Sequence, residues 1–248
     1  MFKAIEEIGK YTILMGRVFR RPQKMSIFRA RTVNEMNTIG LQTIGIVILL
    51  SFFMGAAIVM QTTNNLENPL LPRYLIGYAG RESIVLEFSS TVLSLILAGK
   101  IGSNIASEVG TMRITEQIDG LEIMGINSAN YLILPKIVAA VFFFPLLTSV
   151  SILCGLVGGY LMVAATDMFP LYDYVYGLQF DFEPFYLVYA LIKSFCFGFI
   201  VTSVSGYFGY YAKGTSLEVG RSSTRAFVVS CIGILVVNIV LTQLMLTK

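Results

Sequence analysis

The chain has 248 residues and a formal net charge of +3; 55% of its residues are hydrophobic and 13% are charged. A soluble domain carries about 25% charged residues, so this composition predicts an integral membrane protein. The chain has no histidine, which excludes catalytic histidine and most metal chemistry. It also has no G-x-x-x-x-G-K-[ST] sequence, which excludes ATP binding through a P-loop.

Residues 1–36 are predicted to form a cytoplasmic, interfacial amphipathic segment. Ile5, Ile8, Met15 and Phe19 recur at helical spacing, and bases recur every seven residues on another face, at Lys3, Lys10, Arg17 and Lys24. This pattern is typical of a helix lying on an anionic membrane surface. Pro22 is expected to end that helix. A simple topology signal is the alternative, and both interpretations can hold together.

Residues 37–248 are predicted to form a transmembrane domain with five membrane-spanning helices. The spans are expected at about 38–62, 84–106, 134–165, 184–211 and 225–247, each near the length that crosses a bilayer. The apolar run of the second span, Phe88 to Gly99, is short and is bracketed by Glu87 and Lys100, so these charges must face protein or water. Residues 74–86 are too short and too charged to cross the bilayer, and they are expected to form a re-entrant or interfacial piece on the outer side. In span three, Gly155, Gly158 and Gly159 are small residues that allow close helix packing.

The distribution of charge predicts the topology. Eight Lys or Arg precede the first span, whereas residues 167–183 contain four acids and no base. The positive-inside rule places the N-terminus in the cytoplasm and, after five spans, the C-terminus outside. No apolar core interrupts the charges from Lys3 to Glu35, so no cleavable signal is expected. The three cysteines lie inside apolar spans without paired spacing, which argues against disulfides and metal sites,.

The segment Glu108–Gly125 places five charged side chains between two apolar spans. Ile114, Ile118 and Leu121 are spaced to share one helical face, and acids at three-residue steps form another, at Glu116, Asp119 and Glu122. This pattern predicts a short cytoplasmic helix that docks on a partner. A solvated loop is the alternative.

These motifs together resemble one known family. Several uncommon polar stretches occur in the family's order and spacing. They are AGKIG at 98–102, EVGTMRITEQIDGLEIMG with YLILP at 131–135, Ile192-Lys193-Ser194, Phe197-Gly198, Lys213-Gly214, Val219-Gly220-Arg221 and Thr224-Arg225. The chain resembles, over roughly residues 38–248, permease subunits of the Mla type (MlaE family). Those are the membrane components of ABC transporters that work with MCE-domain proteins to move lipids.

The resemblance implies roles for the two cytoplasmic segments. The first looks like a coupling helix seated in a groove of the ATPase subunit, with acids able to pair with bases there. Its implied coupling residues are Glu108, Gly110, Thr111, Arg113, Thr115, Glu116, Gln117, Asp119, Leu121 and Glu122. The second segment is implied to lie beside it as a further contact or support, through Gly214, Glu218, Gly220, Arg221 and Arg225; a solvated loop is again the alternative.

The resemblance also implies an outward-facing lipid cavity built across a dimer. Gln61, Glu87 and Lys193 are its implied lining residues, with Lys193 meeting lipid phosphate or pairing with Glu87. A purely structural ion pair is the alternative. Family members commonly carry Arg-Glu-Leu-Gly-Pro where this chain has Leu86-Glu87-Phe88-Ser89-Ser90, so a role that needs the arginine is in doubt, although Arg81 is nearby.

The leading hypothesis is a homodimeric permease subunit of an ABC transporter in the bacterial inner membrane. It would exchange phospholipid with a periplasmic MCE-domain protein and maintain outer-membrane lipid asymmetry. No catalytic residue, metal, cofactor or nucleic-acid partner is expected in this chain, because ATP and Mg would bind a separate ATPase subunit. An ion-coupled secondary transporter using Glu87 and Lys193 is the alternative, disfavoured by five spans without an evident inverted repeat. A scaffold without transport is a third hypothesis.

Overall fold

The computed structural model describes residues 2–20, 24–66, 71–166 and 169–246, with side chains from residue 5 onward. Within these ranges the chain forms eight helices and no strand. They are α1 (Phe2–Val18), α2 (Met25–Asn65), α3 (Tyr74–Ile114), α4 (Gln117–Ile123), α5 (Ser128–Thr166), α6 (Leu171–Gln179), α7 (Pro184–Tyr210) and α8 (Ser216–Leu246). Five of them, α2, α3, α5, α7 and α8, are long and apolar enough to cross a bilayer. The predicted all-α membrane class with five spans is therefore confirmed.

Helix α5 lies at the centre of the bundle, where it packs along both α2 and α7. Its contact with α2 depends on glycine. A Cβ built on Gly158 would lie 2.1 Å from the Phe52 carbonyl oxygen, and one on Gly55 would lie 2.0 Å from the Gly155 carbonyl oxygen. Any larger residue would push the two backbones apart, as predicted for close helix packing. A buried hydrogen bond of 2.7 Å between Ser51 and Ser151 joins the same helices.

Helix α3 runs without a break through the second span. The helix of the second span begins at Tyr74 rather than near residue 84, because Tyr74–Glu82 continues directly into it. The positive charge of Arg81 made a helix continuous with the span look unfavourable, but this charge has partners within the chain. The buried Arg81 guanidinium donates hydrogen bonds to the carbonyls of Leu178, Phe180 and Asp181. The helix widens into π-type turns at Ser83–Val92 and Ala98–Gly102, which are often found at functional sites.

The N-terminal helix α1 has two apolar faces. Leu14, Met15 and Val18 are buried against the bundle, whereas Ile5, Ile8 and Phe19 remain more than half exposed. Met15 therefore lies on the face of α1 that packs against the bundle. The sequence pattern places it on one face with Ile5, Ile8 and Phe19, which are exposed. Pro22, the predicted end of this helix, lies outside the described residues; α1 ends at Val18 and α2 begins at Met25.

Candidate functional site

The segment predicted as one coupling helix is a bent connection between α3 and α5. Glu108 to Ile114 form the last turns of α3, and the helix breaks at Glu116, whose φ of 59° is left-handed. A short second helix, α4, then spans Gln117–Ile123, and Gly125 with φ 74° ends it. The prediction that Ile114, Ile118 and Leu121 share one continuous helical face is therefore wrong. We call Thr115–Gly125 the knuckle.

The inner side of the knuckle is packed against the rest of the chain. Ile118 is fully buried, and Leu121 packs partly buried against the main core. Arg113 at the end of α3 forms a 2.6 Å ion pair with Asp119 in α4, across the break. An apolar anchor and an ion pair thus fix the angle between the two helices.

Two of the three acids predicted to face a partner are occupied within the chain. Asp119 pairs with Arg113, and Glu122 accepts hydrogen bonds of 2.9 Å from both the Tyr210 and the Ser128 hydroxyls. These bonds, first that from Tyr210, lower the pKa of Glu122 below its usual value of 4.5. Glu116 is exposed, and no ion pair is described for it in this part of the structure.

The outer surface of the knuckle is partly apolar. Ile123 is 87% exposed and Met124 is 67% exposed, beside the exposed polar residues Thr115, Glu116 and Gln117. Sequence reasoning did not single out the two apolar residues, although both stand in the quoted motif. An apolar tip on a rigid base is suited to insertion into a groove of another protein.

The second predicted segment lies directly beside the end of α3. A Cβ built on Gly110 would lie 3.0 Å from the Val219 side chain, and the Ser223 hydroxyl donates a 3.0 Å hydrogen bond to the Ser103 carbonyl. Gly214, with φ 94°, makes the turn before α8. Glu218 and Arg221 pair with each other at 2.6 Å, and Gly220, Arg221 and Arg225 are exposed. The structure thus brings the two segments together.

Lys136 is a site residue that sequence reasoning missed. Its ammonium is buried at the start of α5 and lies 2.7 Å from carboxylate oxygens of both Glu35 in α2 and Glu108 in α3. Three helices are therefore joined by one buried cation where α3 approaches the knuckle. Lys136 could have been noticed as a lysine that follows a proline inside an apolar run. Its two partners could not, because Glu35 and Glu108 are distant from it in sequence.

The start of α5 also holds the end of α1. The Asn130 side-chain amide donates hydrogen bonds of 2.6 Å to the carbonyls of Val18 and Arg20, and that of Asn127 donates one of 2.9 Å to Arg17. These asparagines satisfy carbonyls that a helix end leaves unpaired. The N-terminal helix is thereby fixed to the chain immediately after the knuckle.

A second polar cluster lies inside the spans, between α3, α7 and α8. The fully buried Lys193 ammonium lies 3.0 Å from a Glu87 carboxylate oxygen and donates a 3.0 Å hydrogen bond to the Leu86 carbonyl. The other Glu87 oxygen accepts hydrogen bonds from Thr91 at 2.9 Å and Asn238 at 3.3 Å. The Glu87 side chain is nevertheless 48% exposed. Of the two partners considered for Lys193, lipid phosphate and Glu87, the structure shows the ion pair with Glu87.

Gln61 and Arg81 do not join this cluster. Gln61 is exposed near the end of α2, and no hydrogen bond to Glu87 or Lys193 is described for it. Arg81 is directed toward the end of α6 and pairs with Glu82 at 2.7 Å. It does not replace the arginine that the family commonly places beside this glutamate.

Comparison with known proteins agrees with this architecture. The chain is 30% identical over 239 residues to a "Probable ABC transporter permease protein" of Rickettsia bellii, covering 96% of this chain and 92% of the relative. It is 31% identical over 240 residues to "Protein TRIGALACTOSYLDIACYLGLYCEROL 1, chloroplastic" of Arabidopsis thaliana, covering 93% and 66% of the two chains. A "Probable ABC transporter permease protein" of Synechocystis is 29% identical over 235 residues, covering 94% and 88%.

The family model described as "Permease MlaE" matches residues 32–244. This range includes all five long helices except the ends of α2 and α8, and it contains the knuckle, the Lys136 ion pairs and the Glu87 cluster. The chain therefore belongs to the MlaE permease family of ABC transporter permeases.

Proposed function

We propose that this chain is the permease subunit of an ABC transporter that moves phospholipid between the bacterial inner membrane and a periplasmic MCE-domain protein, and so maintains outer-membrane lipid asymmetry. The observation that carries the proposal is the knuckle, a rigidly anchored apolar tip between two spans in a chain of this family. The name of the Arabidopsis relative, which is that of a glycolipid, supports a lipid as the transported molecule.

The knuckle is the proposed docking element for a separate ATPase subunit. Ile123 and Met124 would enter a groove of that subunit, and Glu116 is the acid best placed to meet a base there, because Asp119 and Glu122 have partners within the chain. ATP and Mg would be bound by the ATPase, and this chain would contribute no catalytic residue. Closure of the ATPase would move α3 through the Arg113–Asp119 pair and α5 through the hydrogen bond between Glu122 and Ser128.

The Glu87 cluster is the proposed lining of the lipid cavity. A half-exposed carboxylate inside a span is costly against lipid tails, so it favours a polar cavity or a second protein surface,. Lys193 would hold Glu87 in place, and Gln61 would lie toward the outer mouth. Of the five long helices, α8 is the least buried within the chain, which leaves its apolar surface open to lipid or to the second copy in the proposed homodimer.

The proposed topology places the N-terminus in the cytoplasm and the C-terminus in the periplasm, which follows from the excess of bases before the first span,. The knuckle and the start of α8 then face the ATPase. The Glu87 cluster lies nearer the periplasmic side, where an MCE-domain protein would receive or deliver lipid.

The ion pair between the buried Lys193 and the half-exposed Glu87 also favours a second candidate, an ion-coupled secondary transporter. The two functions are separated by purifying the tagged chain from detergent-solubilised native membranes and analysing bound proteins and lipids by mass spectrometry. An ABC ATPase, an MCE-domain protein and phospholipid would support the permease. Recovery of the chain without an ATPase would contradict it and favour the ion-coupled carrier.

A further inference from the structure

A cavity lined mainly by polar residues lies away from the Glu87 cluster, among the start of α2, the second half of α3 and the start of α5. Its volume is about 570 Å³, within the range of about 300–1,000 Å³ that small-molecule sites occupy. Gln42, Lys100 and Asn104 are exposed at its mouth, whereas Ile101 and Lys136 are buried at its floor. The cavity centre lies about 25 Å along α3 from Glu87, at the rise of about 1.5 Å per helical residue.

The ionisable residues that line this cavity sum to zero charge: Glu35, Lys100, Glu108 and Lys136. Lys136 is buried and bound by both carboxylates, so it cannot serve as a free cation. Lys100 is exposed, and the one hydrogen bond described for its ammonium is a 2.9 Å bond to the Gln42 carbonyl. Glu108 uses one oxygen for Lys136, and its side chain is 40% exposed.

The cavity therefore offers one accessible cation and one accessible carboxylate. Lys100 and Glu108 lie about 12 Å apart along the axis of α3 and both line the cavity,. This arrangement matches a ligand that carries a negative and a positive group. A phosphate would accept charge-assisted hydrogen bonds from the Lys100 ammonium, and an amine would donate to the free oxygen of Glu108.

The surface beside the mouth indicates a lipid in preference to a soluble ligand. Leu41 is 59% exposed, Ile46 is 42% exposed and Leu49 is 57% exposed, all on the helix that contributes Gln42 to the mouth. Acyl chains could lie along these side chains while the headgroup occupies the cavity.

We infer that this cavity binds the headgroup of a zwitterionic phospholipid of the phosphatidylethanolamine type, with the phosphate on Lys100 and the ammonium on Glu108. The inference rests on the proposed lipid-transport function. It adds a second lipid site at the end of the spans proposed to face the cytoplasm, so that the chain would contact lipid in both leaflets.

The test is photo-crosslinking from Asn104, which lines the cavity and is exposed. The full chain, with a photoreactive benzoylphenylalanine at this position, is placed in nanodiscs of phosphatidylethanolamine and phosphatidylglycerol, and the adducts are identified by mass spectrometry. We expect a phosphatidylethanolamine adduct whose yield falls about tenfold in Lys100→Gln, given the strength of a charged hydrogen bond. Lys100→Arg should restore the yield, and Lys213→Gln, which changes an exposed lysine outside the cavity, should leave it unchanged.

Equal adduct yields in Lys100→Gln and the unchanged chain would overturn the inference. So would full displacement of the adduct by inorganic phosphate, because the site would then take a free anion. Binding of the ATPase and of phospholipid near Glu87 is measured on the same preparations. If the Asn104 adduct is absent while ATPase binding and phospholipid near Glu87 are retained, only the inferred headgroup site is refuted. If ATPase binding and phospholipid near Glu87 are absent, the proposed function is refuted.

Discussion

Replacing Lys193 with methionine removes the buried cation of the Glu87 cluster while keeping a long apolar side chain. The ammonium is fully buried and makes an ion pair to Glu87, a hydrogen bond to the Leu86 carbonyl and a cation–π contact 4.7 Å from the Tyr189 ring centroid. Breaking a buried pair by removing one partner costs about 3–5 kcal/mol. Because Glu87 stays half exposed and can be resolvated, we expect a cost of about 2–3 kcal/mol.

The assay is thermal unfolding of the purified chain in detergent, where this cost corresponds to a decrease in apparent Tm of about 5–10 °C. Glu87→Gln combined with Lys193→Met should recover more than half of the decrease, since no unpaired carboxylate is left. If Lys193 only holds Glu87 in place, bound phospholipid and folded protein should fall in parallel. An unchanged Tm, or a double variant less stable than Lys193→Met, would refute the reasoning.

Three further predictions concern the rest of the bundle. Lys136→Met should lower the apparent Tm by at least as much as Lys193→Met, because it leaves two carboxylates without their shared cation,. Replacing both carboxylates by amides as well should restore much of the Tm. An unchanged Tm in Lys136→Met would contradict the role of Lys136 as the shared cation. Gly158→Ala should disrupt the contact between α2 and α5 and reduce the yield of folded protein, whereas Gly45→Ala, with open space at its Cβ, should not; equal yields would contradict the close approach. Glu122 has a lowered pKa, so its contribution to stability is present above its usual value of 4.5 and is lost as the pH falls through the lower folded value,. Unfolding of Glu122→Gln should therefore depend less on pH between about pH 6 and pH 3 than unfolding of the unchanged chain, and identical profiles would contradict the assignment.

The five spans and the pairing of Glu87 with Lys193 could be predicted because each follows from a local cost. A run of apolar residues near bilayer length has few other stable locations, and a charge within such a run needs a partner. The contact of the two cytoplasmic segments was likewise expected, and it is seen where Gly110 meets Val219.

The break in the charged segment could not be predicted from its periodicity. The apolar and acidic spacing suits one continuous helix, and the left-handed conformation at Glu116 is uncommon for a residue other than glycine,. The pairing of Lys136 was hidden for another reason. Its two partners lie 28 and 101 residues away in sequence, so only the packing of α2 and α3 against α5 brings them together.

The central claim, that the knuckle couples this chain to an ATPase, is tested most directly by Ile123→Asp. Ile123 is 87% exposed, so a charge there should leave the fold intact while removing the apolar tip from its groove. Tyr172→Asp is the matched control, since Tyr172 is 77% exposed at the opposite end of the spans. We predict that Ile123→Asp loses the co-purifying ATPase at normal membrane levels, whereas Tyr172→Asp retains it. Full retention of the ATPase by Ile123→Asp would contradict the account.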